Sequence, residues 1–176
     1  MSKGKILVVD DELFVRDLLM EFLGREDFEV VAVESGEKAL ETVKSGAFQI
    51  ALIDLKMPGI NGIQTLKELR KISPLTLNII MTGYPTIESS IEALRSGAHD
   101  YVVKPFKLND LKASIEKACQ EYKLKTEIGQ LRDKIKNLEE ELKKYQKMDK
   151  DSTWVDLLGE GFPFSKRESI KKTELR

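Results

Sequence analysis

A chain of 176 residues, 41% of them hydrophobic, is long enough for one compact, well-buried domain plus an extension and short of two full domains. Charged residues reach 34%, above the usual quarter, which points to a long solvated helix, while a net charge of −1 excludes any overall pull toward nucleic acid or membrane. The single Cys119 excludes an internal disulfide, and with no apolar stretch near the ~20 residues that span a bilayer and no signal-peptide core, a soluble cytoplasmic chain is expected.

Lys5–Val9 is a continuous apolar run that ends in Asp10 and Asp11. Such runs mark parallel strands covered on both faces, whereas half-buried strands alternate. A helix follows from about Glu12 to Leu23, with Leu13, Phe14, Leu18, Leu19, Phe22 and Leu23 at helical spacing and Gly24 as stop signal. Phe28–Val33 reads as the second strand, Ser35 opens the second helix, and Gly46 ends it. The third apolar run, from Phe48 to Ile53, leads into Asp54. A turn-rich loop from Lys56 to Gly62 comes next, then a helix marked by Ile63, Leu66, Leu69 and Ile72. Leu77–Met81 runs into Thr82 and Gly83 as the fourth strand. Pro85 starts a helix with Ile87, Ile91 and Leu94 on one face, and Gly97 terminates it. The fifth strand, Tyr101–Val103, ends at Lys104 and Pro105.

Strands alternating with helices specify an α/β fold: a doubly wound, five-stranded parallel sheet, (βα)5. Right-handed crossovers favour the strand order 2-1-3-4-5, whose switch point lies between the first and third strands. Ligands of such sheets bind beyond the carboxyl ends of the strands. The order therefore gathers Asp10, Asp11 and Asp54 at one edge, with Thr82 and Lys104 beside them. Oxygen ligands of this kind suit Mg²⁺, which favours one or two carboxylates plus phosphate oxygens. Lys104 can neutralise a phosphoryl oxygen and Thr82 can donate a hydrogen bond to another, the positioning and charge stabilisation that phosphoryl transfer requires. Asp54, at the end of the most buried strand, is the candidate nucleophile for an aspartyl-phosphate.

With Ile6–Glu12, Leu52–Gly62, Met81–Tyr84 and Asp100–Phe106 in view, residues 3–122 resemble a bacterial two-component response-regulator receiver domain. The resemblance implies that Asp54 takes a phosphoryl group from a histidine kinase or phosphotransfer protein. It also implies that Asp11, Asp54 and the Lys56 backbone carbonyl ligate Mg²⁺, with Asp10 acting through water. Thr82 and Lys104 bind the phosphoryl oxygens, and Tyr101 matches the switch aromatic that turns inward when Thr82 is drawn to the phosphate. Haloacid-dehalogenase-type hydrolases also use a strand-end aspartate, but they resemble an Asp-x-Asp pattern, and Lys56 stands where the second acid belongs. Beyond its own phosphorylation and dephosphorylation, no enzyme activity is expected. His99, the lone histidine, reads as a surface residue and Cys119 as the inner side of a helix.

A coiled-coil extension, 123–149, is expected to continue the fifth helix, which runs from about Leu108 to Met148. Ile128, Ile135 and Leu142 take heptad position a, and Leu124, Leu131, Leu138 and Tyr145 take d, a pattern that favours a parallel pair. The pairs Glu127–Arg132 and Lys134–Glu139 attract across such a seam. At ~100° per residue the seam points about 130° from the inward stripe of Leu111, Ile115, Ala118 and Tyr122, so a homodimer covers it more readily than the chain itself. Residues 150–176 form a short, partly disordered tail holding Trp154, Phe162 and Phe164, with Ser165 and Glu168 as a capping box. The tail is read as solvated or as a docking peptide for a downstream protein partner, with nucleic-acid contact least favoured. The alternative for the whole chain is the receiver-plus-linker portion of a DNA-binding or ATPase-type transcription regulator.

Overall fold

A computed structural model describes residues 2–150, with side-chain surroundings given through residue 144. Its elements in order are β1 (Gly4–Val9), α1 (Leu13–Arg25), β2 (Phe28–Val33), α2 (Gly36–Thr42), β3 (Ile50–Asp54), α3 (Gly62–Ile72), β4 (Leu77–Thr82), α4 (Ile87–Ser96), β5 (Asp100–Val103) and α5 (Leu108–Lys150). The strands form one parallel sheet in the order β2-β1-β3-β4-β5, as the alternation of elements implies. The chain divides into a compact unit through Ile128 and a second from Gly129 onward.

Within the first unit the sheet separates two cores. On one face Leu7, Val9, Ala51, Ile53 and Ile80 pack with Ile63, Leu66 and Leu69 of α3 and Ala93 of α4. On the other, Ile6, Val8, Leu52, Ile79 and Met81 pack with Leu19 and Leu23 of α1 and Leu111, Ile115 and Ala118 of α5. Every residue of β3 and β4 is buried, which is why those strands read as unbroken apolar runs. The inward stripe of α5 follows the expected register, with Tyr122 and Cys119 partly buried against the same core.

Several boundaries shift from those the sequence suggests. Helix α1 passes Gly24 and ends at Arg25, and the chain reverses at Asp27, which takes φ 66°. Leu13 and Phe14 are exposed rather than packed in the core. Helix α2 stops at Thr42, before Gly46, because Val43 to Ser45 already curl through backbone bonds to Ala39, Glu41 and Thr42. Phe48 is buried but precedes β3, which begins at Ile50. Helix α4 starts at Ile87, two residues past Pro85, under a reciprocal cap between Thr86 and Ser89. Gly97 does end it, in the left-handed conformation that glycine adopts without penalty. The apolar residues of α4 face outward: Ile87 is 76% exposed, Leu94 55% and Ile91 45%, and Ala93 is the buried one.

Candidate functional site

Four strand ends build the site. β1 stops at Val9, yet the Asp10 amide still donates to Val33 O at 3.1 Å, which fixes the backbone beside the switch point. β3 delivers Asp54 and β4 delivers Thr82, while the Lys104 amide donates to Thr82 O at 2.7 Å and seats Lys104 next to it. Asp10, Asp54 and Thr82 are all buried. The Lys104–Pro105 peptide is cis. Beyond Asp54, the Gly62 amide closes the loop on Leu55 O at 3.0 Å. A side chain at Gly62 would strike the backbone of Asp54 and Leu55, so only glycine lets α3 begin this close to the site.

Lys104 Nζ sits between two carboxylates, 2.6 Å from Asp10 Oδ2 and 2.7 Å from Asp54 Oδ1, with Glu12 farther off at 3.7 Å. The second oxygen of each acid takes a backbone donor: Glu12 N–H to Asp10 Oδ1 at 3.0 Å and Lys56 N–H to Asp54 Oδ2 at 2.8 Å. Burial pushes both carboxyls above their ordinary value even though Lys104 pulls them down. Repulsion from Asp54 adds to the rise at Asp10, and repulsion from Asp11 adds to it at Asp54. For Lys104, burial works against the ammonium, but its bonds to the two acids prevail and raise its pKa. One cation thus faces two buried acids, and exposed Asp11 adds a third negative charge at the rim. Negative charge is left over, and it calls for a divalent cation or for protons.

Among the described residues no three His, Cys, Asp or Glu side chains converge as a metal cage. Of the expected residues, Asp10, Asp54 and Lys104 are in direct contact, and the others have separate partners. Thr82 Oγ1 accepts the Tyr84 amide at 3.2 Å, and half-buried Tyr101 places its hydroxyl 2.8 Å from Ser89 Oγ in the α4 cap. His99 departs from its reading as a surface residue. Its side chain is 8% exposed, with Nδ1 3.1 Å from Glu121 of α5, and its buried Nε2 has no partner. Two neighbours of the site carry no local sequence signal: Glu37 accepts the Ile60 amide at 3.0 Å, and Arg16 bonds the carbonyls of Asp10 and Asp11; Lys56, expected there for its carbonyl, also lays its ammonium 4.3 Å from the centre of the Tyr84 ring.

A five-stranded sheet in this order, with an acid–lysine cluster at its switch point, defines a flavodoxin-like domain carrying a phosphoacceptor-type site. The chain belongs to the response regulator receiver domain family, whose model matches residues 6–116. Its role is therefore that of a phosphoacceptor in two-component signalling. It is similar to regulatory protein AtoC of Escherichia coli strain K12, with 39% identity over 128 residues, covering 73% of this chain and 28% of AtoC. Among solved structures it resembles a CheY-like response regulator receiver domain protein of Methanospirillum hungatei JF-1, at 30% identity and TM-score 0.67 over 69% of this chain and 98% of that one. It also resembles response regulator TrrA of Thermotoga maritima in complex with Mg²⁺-BeF, at 37% identity and TM-score 0.60 over 65% of this chain and 98% of that one. The chain spans just over a quarter of AtoC. No described helix is long and apolar enough to cross a membrane.

Proposed function

We propose that Asp54 is the phosphoacceptor, charged by a histidine kinase or phosphotransfer protein with Mg²⁺ as cofactor. The observation that carries this reading is Lys104, held between Asp10 and Asp54 in a site with more buried acid than counter-charge. An Asp54 carboxylate oxygen attacks phosphorus, the bond from phosphorus to the donor's imidazole nitrogen breaks, and the acyl phosphate forms. The Lys104 ammonium passes to a phosphoryl oxygen, and the Thr82 hydroxyl donates to another. Asp11, Asp54 and the Lys56 carbonyl would hold Mg²⁺, with Asp10 contributing to the same acidic cluster, and the metal would supply charge neutralisation for the transferring group. The chemistry of these donors and the charge surplus support that assignment, as does the Mg²⁺-BeF bound by TrrA.

Tyr101 reports occupancy. Its hydroxyl is tied to Ser89, so turning inward toward a displaced Thr82 frees one partner in the α4 cap. The output passes through a parallel homodimer. Leu124, Ile128, Leu131, Ile135, Leu138 and Leu142 are each 48–60% exposed, a continuous apolar row that a second copy covers. The seventh seam position, Tyr145, and the tail with Trp154, Phe162, Phe164, Ser165 and Glu168 lie outside the residues with described side chains. A downstream protein partner then reads the dimer from the cytoplasm, and the chain itself catalyses only its own phosphorylation and dephosphorylation. The likeness to the DNA-binding transcriptional regulator NtrC of Escherichia coli, of which the match covers 26%, supports a second reading, the receiver and linker of a larger DNA-binding or ATPase-type transcription regulator.

The test is phosphate incorporation from acetyl phosphate. Wild-type protein becomes labelled only with Mg²⁺ present, and Asp54→Asn takes up none while keeping its circular dichroism. Equal labelling of the variant removes Asp54 from the role.

A further inference from the structure

Helix α1 begins against the usual rules for a helix start. Its N-cap residue, Glu12, makes no side-chain capping bond, its first turn holds no acid, and Arg16 stands at the fourth helical position. A cation there is disfavoured by the positive end of the helix dipole. Arg16 is nonetheless half-buried rather than extended into solvent. Its Nη1 donates to Asp10 O at 2.7 Å and to Asp11 O at 2.9 Å. These two carbonyls lie just past the end of β1, where the sheet offers them no donor.

We infer that Arg16 is a positioning residue for the metal ligands, fixing the Asp10–Asp11 turn by its carbonyls so that the carboxylates stay free to face Asp54. This rests on the reading of Asp11 and Asp54 as Mg²⁺ ligands. The choice of atom is what matters. A guanidinium bound to the carboxylate oxygens would compete with the metal, whereas one bound to the carbonyls orients the ligands without itself occupying a carboxylate oxygen. Asp10 can then turn inward to Lys104 while Asp11 stays exposed at the rim. Residues behind the ligands of a metal site change affinity by about 10–100-fold when lost.

The sign of the effect separates this role from a plain charge effect. Arg16 carries a positive charge close to a cation site, so if it acted only through that charge, its removal would tighten Mg²⁺ binding. If it positions the ligands, removal weakens binding. The experiment is calorimetric titration of wild type, Arg16→Gln and Arg16→Lys with MgCl₂, with the melting temperature of each measured in EDTA. The expected Kd order is wild type, then Arg16→Lys, whose ammonium retains a donor for one carbonyl, then Arg16→Gln at roughly tenfold above wild type. Wild type and Arg16→Lys are expected to melt alike without metal. An Arg16→Gln Kd equal to or below wild type overturns the inference and leaves the metal reading standing. Wild-type protein that binds no Mg²⁺ overturns both. If Arg16→Gln does not fold, Arg16→Lys decides alone: a Kd at or below wild type overturns the inference, and a raised Kd at unchanged melting temperature supports it.

Discussion

Replacing Lys104 with methionine tests the electrostatics of the site directly. Nζ lies 2.6 Å from Asp10 and 2.7 Å from Asp54, and its side chain is 12% exposed beside acids that are 0% and 7% exposed. Methionine keeps the apolar stem and removes the charge, stranding two buried carboxylates. Breaking a buried pair costs about 3–5 kcal/mol. The lower end is expected, because each acid keeps a backbone N–H donor and can take up a proton. For a domain of this size about 3 kcal/mol lowers Tm by on the order of 10–15 °C. The pH dependence follows from the direction of the shifts. Both acids have folded pKa values above the unfolded 3.8, so the fold binds more protons than the unfolded chain in the interval between, and stability falls as pH rises through it. Losing Lys104 raises both pKa values further and extends that interval upward. Thermal melts in EDTA from pH 4 to pH 7.5 are therefore expected to show a small deficit at pH 4 that widens toward neutrality. A variant that melts with wild type at pH 7.5, or whose deficit is constant with pH, refutes the argument.

The remaining predictions rest on separate features. Asp54→Asn removes one of two buried acids sharing one ammonium, so metal-free melting at pH 7 rises, and the gain shrinks as pH falls and Asp54 of the folded wild type, whose pKa burial raises, takes up its proton. Lys104→Ala still binds Mg²⁺ by calorimetry but transmits phosphorylation poorly to the dimer. Changing Leu131 and Ile135 to lysine places like charges on the seam and yields a monomer by light scattering with labelling of Asp54 unchanged. Ile115→Ala, at a fully buried position of α5, costs about 2–5 kcal/mol and lowers the denaturation midpoint by urea titration.

The strands and their order were legible because burial on both faces leaves continuous apolar runs, and β3 and β4 are buried throughout. The site was legible because Asp10, Asp54, Thr82 and Lys104 interrupt those runs at their carboxyl ends, where an open sheet gathers its chemistry. Helical periodicity says that a face is apolar, not that anything covers it. Ile87, Ile91 and Leu94 read correctly as one apolar face, yet that face is exposed and Ala93 is the residue α4 buries. His99 was misread because its partner, Glu121, lies on another element and only the fold brings the two together. Arg16 escaped notice for a related reason: its bonds run to backbone carbonyls, and a sequence shows no carbonyl as special.

The most direct measurement is the chemical location of the phosphate. After reaction with acetyl phosphate and Mg²⁺, borohydride reduction and peptide mapping by mass spectrometry are expected to mark Asp54 alone, on an acid-labile acyl phosphate. A mark on Asp10 or Asp11, or a stable phosphate on a serine or threonine, contradicts the account.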